Sequence, residues 1–319
     1  MRPPRFWNKT PDQTPAWARA LWPLSRLYAW ATARRLTHGA RHKMPIPVIC
    51  VGNINMGGTG KTPTTIELVR RLNDMGKNPC VISRGYGGNT AGPVMVDIRK
   101  HTADDMGDEP ILMAAFAPVC VARDRVLGAK LALQNGADVL VLDDALQNPS
   151  LFHDLTITVV DGAVGFGNGR VFPAGPLREP TETGLSRSDL VISIGGMVAI
   201  DGPDAVSATL DPLQTGMDWQ GLRALAFAGI GRPEKFYKTL RDLGADVVQT
   251  RSFGDHQKIP EPLLKRLLTE AQAMNAQLVT TEKDAARLPK AWQQQVITLP
   301  VRLNIKQDAK LCALLQGLF

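Results

Sequence analysis

The sequence predicts an α/β protein in which a mostly parallel sheet is covered by helices. From residue 47 to about 160, short apolar runs typical of buried strands alternate with helical patterns, and the alternation resumes from residue 223. A glycine-rich turn lies between the first apolar run and the first helix, where a buried strand would turn sharply. With 319 residues, 44% of them hydrophobic and 21% charged, the chain is long enough for one or two globular domains.

The pattern divides the chain into a basic segment at 1–44, a first domain at 45–215 and a smaller C-terminal α/β lobe at 216–319. The elements predicted in the first domain are strands at 47–52, 79–83, 94–97, 118–121, 138–142, 155–160 and 189–194, and helices at 61–73, 110–116 and 124–135. Those predicted in the lobe are strands at 223–228, 246–249, 277–281 and 296–299, and helices at 233–243, at 260–274 and from Gln307.

The N-terminal segment carries the positive charge of the chain. Residues 1–43 hold nine Lys and Arg against one acid, Asp12, so this segment is +8 and the remainder of a chain with net charge +7 is −1. A nucleic-acid-binding domain would carry its basic residues around its ligand site, and we therefore expect no nucleic acid partner.

A helix is predicted from Thr14, which would cap it, with Pro15 at the first helical position. Its apolar residues, which include Trp17 and Leu24, recur at spacings of three and four, and arginines interrupt the run too early for a membrane-spanning helix. We expect an amphipathic helix lying in the interface of a membrane with anionic lipids, bent at Pro23. The alternative is a helix packed on the protein's own core.

The four cysteines lie far apart, without the C-x-x-C spacing of a zinc site. Three of them, Cys50, Cys80 and Cys120, fall in apolar runs. They are interpreted as reduced core residues of a protein that works in a reducing compartment.

The glycine-rich turn has the character of a phosphate-binding loop. Its residues are Asn55, Met56, Gly57, Gly58, Thr59, Gly60, Lys61 and Thr62. The glycines let backbone N–H groups converge on phosphate oxygens, Lys61 would reach the β- and γ-phosphates, and the Thr62 hydroxyl would bind Mg²⁺. Asn55 stands where the strict pattern has glycine, and we expect its tolerance of left-handed backbone to let the loop close. The sequence therefore predicts ATP and Mg²⁺ as ligands.

Two further clusters carry acidic side chains. The apolar run 139–142 ends in Asp143 and Asp144, as expected of a strand that delivers carboxylates to a metal beside a phosphate loop. The cluster at 104–110 has two readings that the residues alone do not separate, a catalytic role and simple capping of the helix that begins at Pro110. The long loop at 161–180 is expected to be functional.

The motifs together resemble the lipid A 4′-kinases (tetraacyldisaccharide 4′-kinases) of Gram-negative bacteria. The matching stretches are VGNINMGGTGKTP at 51–63, SRGYGG at 83–88, GDEP at 107–110, DDALQ at 143–147, NGRVFPAGPLREP at 168–180, FGDHQ at 253–257 and TTEKDAARL at 280–288. The resemblance implies an ATP-dependent kinase that phosphorylates the 4′-hydroxyl of a tetraacyl glucosamine disaccharide 1-phosphate. It also implies a peripheral location at the cytoplasmic face of the bacterial inner membrane, and we expect no obligate protein partner.

The resemblance also implies roles for individual residues. Asp108 would act as the base, paired with His256, and Lys61 would complete the catalytic set. The Mg²⁺ shell implied by the resemblance consists of Thr62, Glu109, Asp143 and Asp144, and the substrate-binding residues are Arg84, Arg178 and Glu179.

Two other classes remain open. One is a membrane-associated P-loop NTPase that uses hydrolysis as a switch. A guanine-reading N-K-x-D signature is not visible, because Lys283 in Thr281-Glu282-Lys283-Asp284 comes one position late. The other is a binding module that holds nucleotide without chemistry, which would leave the clusters around Asp108 and Arg178 without a role.

Overall fold

A computed structural model describes residues 4–10 and 13–319. In these ranges, nine strands form one large sheet in the order β13-β8-β7-β6-β1-β5-β2-β4-β3. The strands are β1 (Val48–Gly52), β2 (Pro79–Ser83), β3 (Val94–Met95), β4 (Val119–Val121), β5 (Val139–Asp143), β6 (Leu155–Asp161), β7 (Leu190–Ile194), β8 (Asp204–Pro212) and β13 (Val301–Ile305). All neighbouring pairs are parallel except the two at the edges, β13 with β8 and β3 with β4.

A second sheet of four parallel strands forms the smaller lobe, within the same described ranges and in the order β10-β9-β11-β12. Its strands are β9 (Arg223–Ala228), β10 (Asp246–Ser252), β11 (Gln277–Thr281) and β12 (Ile297–Leu299). The predicted fold class, a mostly parallel sheet covered by helices with a second smaller α/β lobe, is confirmed.

The helices cover both sheets and the N-terminal segment. They are η1, a 3-10 turn at Arg5–Asn8, and the α-helices α1 (Ala16–Arg19), α2 (Trp22–His38), α3 (Lys61–Asp74), α4 (Ala103–Met106), α5 (Asp108–Met113), α6 (Arg125–Gln134), α7 (Thr181–Leu185), α8 (Pro233–Asp242), α9 (Glu261–Ala273), α10 (Glu282–Ala286), α11 (Lys290–Gln293) and α12 (Ala309–Gln316).

The core lies on the two faces of the large sheet. On one face, α3 and α12 pack over alternate strand residues such as Ile49, Val141 and Ile157. On the other face, α6 covers Cys50, Leu140 and their neighbours. Because strands β1 and β5 are buried along their whole length, they read as continuous apolar runs, which is why their positions could be predicted.

The predicted boundary of the smaller lobe is wrong at its end. After β12 the chain does not stay in that lobe: β13 pairs antiparallel with β8, and α12 packs on the core of the large sheet. Both β8 and β13 escaped prediction because they expose part of each strand to solvent and mix polar with apolar residues. The larger lobe therefore contains residues 301–319, and the chain passes twice between the lobes.

The N-terminal helix differs from its prediction in three ways. It is split into α1 and α2, and Pro23 lies in the first turn of the second helix, where its missing N–H costs nothing. Pro15, not Thr14, occupies the cap position, and the Thr14 hydroxyl is buried without a partner. The side of α2 that packs on the protein carries Ser25, Thr32 and Leu36.

Five large apolar residues of α1 and α2 instead face solvent. They are Trp17, Trp22, Leu24, Leu27 and Trp30, each more than half exposed. Arg26 lies over the ring of Trp22 at 5.0 Å, and Arg34 over that of Trp30 at 5.7 Å. The helix therefore packs on its own protein through one side and presents an apolar face to solvent on the other. None of the helices in residues 4–10 and 13–319 is long and apolar enough to cross a membrane.

Candidate active site

The phosphate loop connects the carboxyl end of β1 to the first turn of α3, at the centre of the large sheet. Gly57 and Gly60 have φ of +121° and +100°, which favours glycine at both positions. A Cβ at Gly60 would lie 2.5 Å from Ile194 Cδ1, whereas Cβ atoms at Gly57 and Gly58 would meet no atom within 4 Å. The loop is thus packed on one side and open on the other, where backbone N–H groups and the N-terminus of α3 can accept an anion.

Two asparagines hold the loop in this shape. Asn53 donates from Nδ2 to Gly57 O and to Thr59 Oγ1, both at 3.1 Å. Asn55 donates to Gly165 O at 3.0 Å, and its backbone is not left-handed. The prediction that Asn55 lets the loop close by adopting left-handed backbone is therefore wrong. It replaces the usual glycine by anchoring the loop to the segment after β6.

Lys61 lies beside a pair formed by Asp144 and Arg178. The two guanidinium nitrogens of Arg178 donate to the two oxygens of Asp144 at 2.7 and 3.1 Å, and Lys61 Nζ lies 3.7 Å from Asp144 Oδ1. Burial alone would raise the pKa of Asp144, but the charges of Lys61 and Arg178 lower it to about 2. Asp144 has φ of +49° and is held in place as a permanent anion beside the loop lysine.

Of the two neighbouring acids Asp143 and Asp144, Asp143 is the one whose carboxylate forms no salt bridge with the residues that the structure describes. It is 3% exposed, accepts one hydrogen bond from Ser83 Oγ at 3.3 Å, and its Oδ1 is buried without a partner. Burial, together with the negative charges of Glu109 and Asp144, raises the pKa of Asp143 to about 7. An orphaned carboxylate oxygen among negative charges is the environment that a divalent cation stabilises.

The residues present fit Mg²⁺ rather than a metal held in a protein cage. In the described part of the chain, no three His, Cys, Asp or Glu side chains converge as a ready set of ligands. Mg²⁺ needs no such set, because it usually keeps several waters and takes oxygens from the bound phosphates. Asp143, beside the phosphate loop, and the buried Thr62, within it, could supply oxygen ligands of the right type.

Asp108 and His256 come from different lobes and meet across the cleft. Asp108 is the first residue of α5, and His256, with φ of +56°, lies in the loop between β10 and α9. His256 Nδ1 lies 3.0 Å from Asp108 Oδ1, and its ring meets the ring of Tyr86 edge-on. Burial would raise the pKa of Asp108, but the hydrogen bond with His256 and the charge of Lys283 lower it below its ordinary value. The sequence-based pairing of these two residues is thus present in the geometry.

Lys283 was not among the predicted site residues. It lies on α10, with Nζ at 2.9 Å from Glu109 Oε1 and 3.2 Å from His256 Nε2. Burial would raise the pKa of Glu109, but the charges of Lys283 and Lys61 lower it. Lys283 belongs to the TTEKDAARL motif, which could have marked it as a site residue. Spacing along the chain, however, gives no indication that α10 faces α5.

Arg287, the residue that follows α10, also points toward Asp108. Its NH1 lies 4.0 Å from Asp108 Oδ2, and both atoms are buried without a hydrogen-bond partner. Its NH2 is held by Asp284 and by the Gly229 carbonyl. The second oxygen of Asp108 is therefore left without a donor.

The three predicted substrate-binding residues lie in different environments. Arg84 is exposed in the loop after β2, and Arg178 is paired with Asp144 as described. Glu179 is only 1% exposed, and Arg187 and Gln147 donate to its carboxylate. The burial of Glu179 favours a supporting role for the 168–180 loop over a direct contact with substrate.

The fold and this site define a P-loop phosphotransferase: a phosphate loop at the end of β1, a buried carboxylate beside it, and a carboxylate–histidine pair to which each lobe contributes one residue. Residues 17–319 match the family described as Tetraacyldisaccharide-1-P 4′-kinase. The chain is 54% identical to a tetraacyldisaccharide 4′-kinase of Dinoroseobacter shibae, covering 100% of this chain and 98% of the relative. A second relative of the same name, from Jannaschia sp., is 50% identical over 96% of this chain and 95% of its own length.

The structure is also similar to a solved one. The crystal structure of the "apo" form of LpxK from Aquifex aeolicus, in complex with ATP, superposes with a TM-score of 0.78 at 28% identity, over 95% of this chain and 99% of that one. The chain belongs to the tetraacyldisaccharide 4′-kinase family. It is therefore an ATP-dependent kinase of lipid A biosynthesis, as its motifs predicted.

Proposed function

We propose that this kinase transfers the γ-phosphoryl group of ATP to the 4′-hydroxyl of a tetraacyl glucosamine disaccharide 1-phosphate, with Asp108 receiving the hydroxyl proton. The observation that carries the assignment is the second oxygen of Asp108. It is buried, and residues 4–10 and 13–319 provide no donor within hydrogen-bond distance of it, while Oδ1 is held by His256. A carboxylate with one oxygen fixed and one available can orient a hydroxyl and take its proton.

Lys61 and the backbone N–H groups of the phosphate loop are assigned to the phosphates of ATP. Phosphoryl transfer depends mostly on positioning and on neutralising charge, so a weak carboxylate base suffices. Thr62 and Asp143 would hold Mg²⁺, which when bound neutralises charge on the phosphate oxygens. Asp144, tied to Lys61 and Arg178, would keep the lysine aimed along the loop. We keep Glu109 as an outer member of the metal shell, because its carboxylate pairs with Lys283.

Arg84 and Arg178 are assigned to the substrate headgroup, which carries a phosphate. Arg84 is exposed on the loop whose Tyr86 contacts His256. Arg178 is 22% exposed, so one edge of its guanidinium is accessible while the other holds Asp144. Glu179, paired with Arg187, would fix the backbone that carries Arg178.

The exposed face of α1 and α2 is assigned to the membrane. The helix α2 already packs on the protein through its opposite side, so the exposure of Trp22, Leu27 and Trp30 does not result from a loosely packed helix. Trp and Leu with flanking arginines suit the interface of a membrane with anionic lipids. A peripheral position at the cytoplasmic face of the inner membrane would present the lipid substrate to the cleft.

The test is the fate of the γ-phosphate. Incubation of the full chain with γ-labelled ATP, Mg²⁺ and the lipid in mixed micelles should give labelled lipid that is absent with Lys61→Ala. Label appearing only as inorganic phosphate would support the NTPase switch. Bound nucleotide with no release of label would support a binding module. Either result would overturn the kinase assignment of this site.

A further inference from the structure

We propose that Arg125 is a positioning residue that holds the turn after β5 in the shape that gives Asp143 and Asp144 their different roles. Arg125 reaches both acids through their backbone carbonyls and forms a salt bridge with neither carboxylate. The inference rests on the proposed role of Asp143 as a Mg²⁺ ligand, and it adds a buried arginine to the residues that support the site.

Arg125 carries a buried charge that no acid neutralises. It is the first residue of α6 and is 5% exposed. It forms no salt bridge with the residues that the structure describes, and its Nε is buried without a hydrogen-bond partner. Burying a guanidinium without a carboxylate costs free energy. Within residues 4–10 and 13–319, its side chain donates only to the turn at Asp143 and Asp144, so this turn is what its burial serves.

One nitrogen of Arg125 bridges the two peptide groups that flank the α-carbon of Asp144. Nη2 donates to Asp143 O at 3.2 Å and to Asp144 O at 2.9 Å. The torsion angles that separate these carbonyls are φ and ψ of Asp144, because each carbonyl belongs to a planar peptide group. Fixing both carbonyls on one nitrogen therefore fixes the backbone of Asp144, whose φ is +49°. A left-handed backbone is costly for a residue with a side chain, and the two hydrogen bonds offset that cost.

The arginine can impose this shape because its own position on α6 is rigid. Asp124 caps the helix by accepting from the backbone N–H groups of Val126 and Leu127 at 2.9 and 3.2 Å. A Cβ at Gly128 would lie 2.7 Å from Ala122 Cβ, so the first turn of α6 packs closely against the chain that follows β4. The helix therefore holds the guanidinium at the carboxyl end of β5.

The shape of this turn separates the two acids. Asp143 ends β5, and its Oδ1 has no partner among the described residues, whereas Asp144 pairs with Lys61 and Arg178. If Asp144 left the left-handed region, its side chain would leave these two cations, and the peptide group that follows Asp143 would turn with it. Both carboxylates would then lose the positions that suit a metal ligand and a partner of the loop lysine.

Two full-length variants separate this role from a contribution to stability alone. Arg125→Met removes the guanidinium and keeps an unbranched side chain. Arg71→Met is the matched control. Arg71 is also a poorly exposed arginine, paired with Glu67 at 2.7 Å and Asp308 at 3.0 Å in the last turn of α3, and it contacts neither acid of the turn. Both variants should lower the thermal midpoint.

The readout is metal affinity in the complex with a non-hydrolysable ATP analogue. Mn²⁺ is the probe, because it takes the same carboxylate and water ligands as Mg²⁺ and is visible by electron paramagnetic resonance. We expect Arg125→Met to weaken Mn²⁺ binding about 10- to 100-fold, the range found when a residue that orients a metal ligand is lost. Affinity for the analogue without metal should change less than about threefold, because the phosphate loop is untouched. Arg71→Met should bind Mn²⁺ as the wild type does.

Arg125→Lys is the conservative variant that should rescue the site. A lysine ammonium has three donors, enough for both carbonyls, so this variant should recover most of the Mn²⁺ affinity. Crystal structures of the variants report the backbone directly and without metal. We expect Asp144 to leave the left-handed region in Arg125→Met and to keep it in Arg125→Lys.

Wild-type Mn²⁺ affinity in Arg125→Met would overturn the proposal. So would a left-handed Asp144 in that variant, or an equal loss of affinity in Arg71→Met. If Arg125→Met does not fold, Arg125→Gln serves the same test, because its amide is too short to reach both carbonyls. Failure of the underlying assignment looks different. If Asp143→Asn kept wild-type Mn²⁺ affinity, Asp143 would not be the ligand, while φ of Asp144 in Arg125→Met would still report whether Arg125 holds the turn.

Discussion

Replacing Asp108 by Asn tests the proposed chemistry with the smallest change of shape. The variant keeps an oxygen that can accept from His256 Nδ1 and puts an amide NH₂ where Oδ2 lies. That NH₂ cannot accept a proton from the substrate, and it places a donor toward the Arg287 guanidinium, whose Nη1 lies 4.0 Å from Oδ2. The phosphate loop is untouched.

The size of the effect follows from the environment of the carboxylate. A positioned general base contributes about 10²- to 10⁴-fold to a rate, or about 3 to 5 kcal/mol of activation free energy. Burial would raise the pKa of Asp108, but the hydrogen bond with His256 and the positive charges nearby lower it. Asp108 is therefore a weaker base, which places the expected loss toward the lower end, about 10²- to 10³-fold in kcat. KM for ATP should stay within about twofold, because a base acts in the transition state and not in nucleotide binding.

The assay is steady-state transfer of label from γ-labelled ATP to the lipid, with Arg223→Gln, which alters a half-exposed ion pair remote from the cleft, as a control for handling. Binding of a fluorescent ATP analogue and the thermal midpoint should show that the variant is folded and loads nucleotide. A kcat within about threefold of wild type would refute the assignment of Asp108 as the base. A normal kcat with a raised KM for ATP would show that Asp108 serves binding.

Three further predictions concern other parts of the molecule. With Asp143 as the proposed Mg²⁺ ligand and its pKa at about 7, Mg²⁺ would compete with a proton for its carboxylate, so apparent Mg²⁺ affinity should fall about tenfold per pH unit below that value; a pH-independent affinity from 5 to 8 would contradict the proposed site. Burial lowers the pKa of His153 to about 4 from 6.5, so the unfolded chain takes up the proton first on acidification, and stability is lost as pH falls from about 6.5 to 4. Wild-type unfolding free energy, measured by urea titration, should fall between pH 8 and pH 5 by about 1 kcal/mol more than that of His153→Gln, a value that allows for the partial exposure of His153. The same pH dependence of unfolding free energy in both proteins would contradict this prediction. Leu27→Ser with Trp30→Ser should leave ATP binding intact and reduce sedimentation with anionic vesicles, more so in high salt, and equal sedimentation would mean that another surface meets the lipid.

Short-range chemistry made several features readable from the sequence alone. The strands β1 and β5 are buried on both faces, so their residues must be apolar throughout, and the glycines and Lys61 of the phosphate loop serve one local turn. Both act within about ten residues of chain, which is the range over which spacing carries information. The fold class followed from such stretches, and the family from the seven motifs between residues 51 and 288 taken together.

Only the tertiary structure decided the contacts between distant parts of the chain. His256 lies 148 residues from Asp108, and Lys283 lies 174 from Glu109, so no local spacing could show that α10 brings a lysine between them. The same holds for β13, whose alternating polar residues fit an edge position only once β8 is there to pair with it. Local sequence fixes turns and buried strands because neighbouring residues share one environment, whereas the catalytic cleft is made by two lobes whose approach depends on the packing of the whole chain.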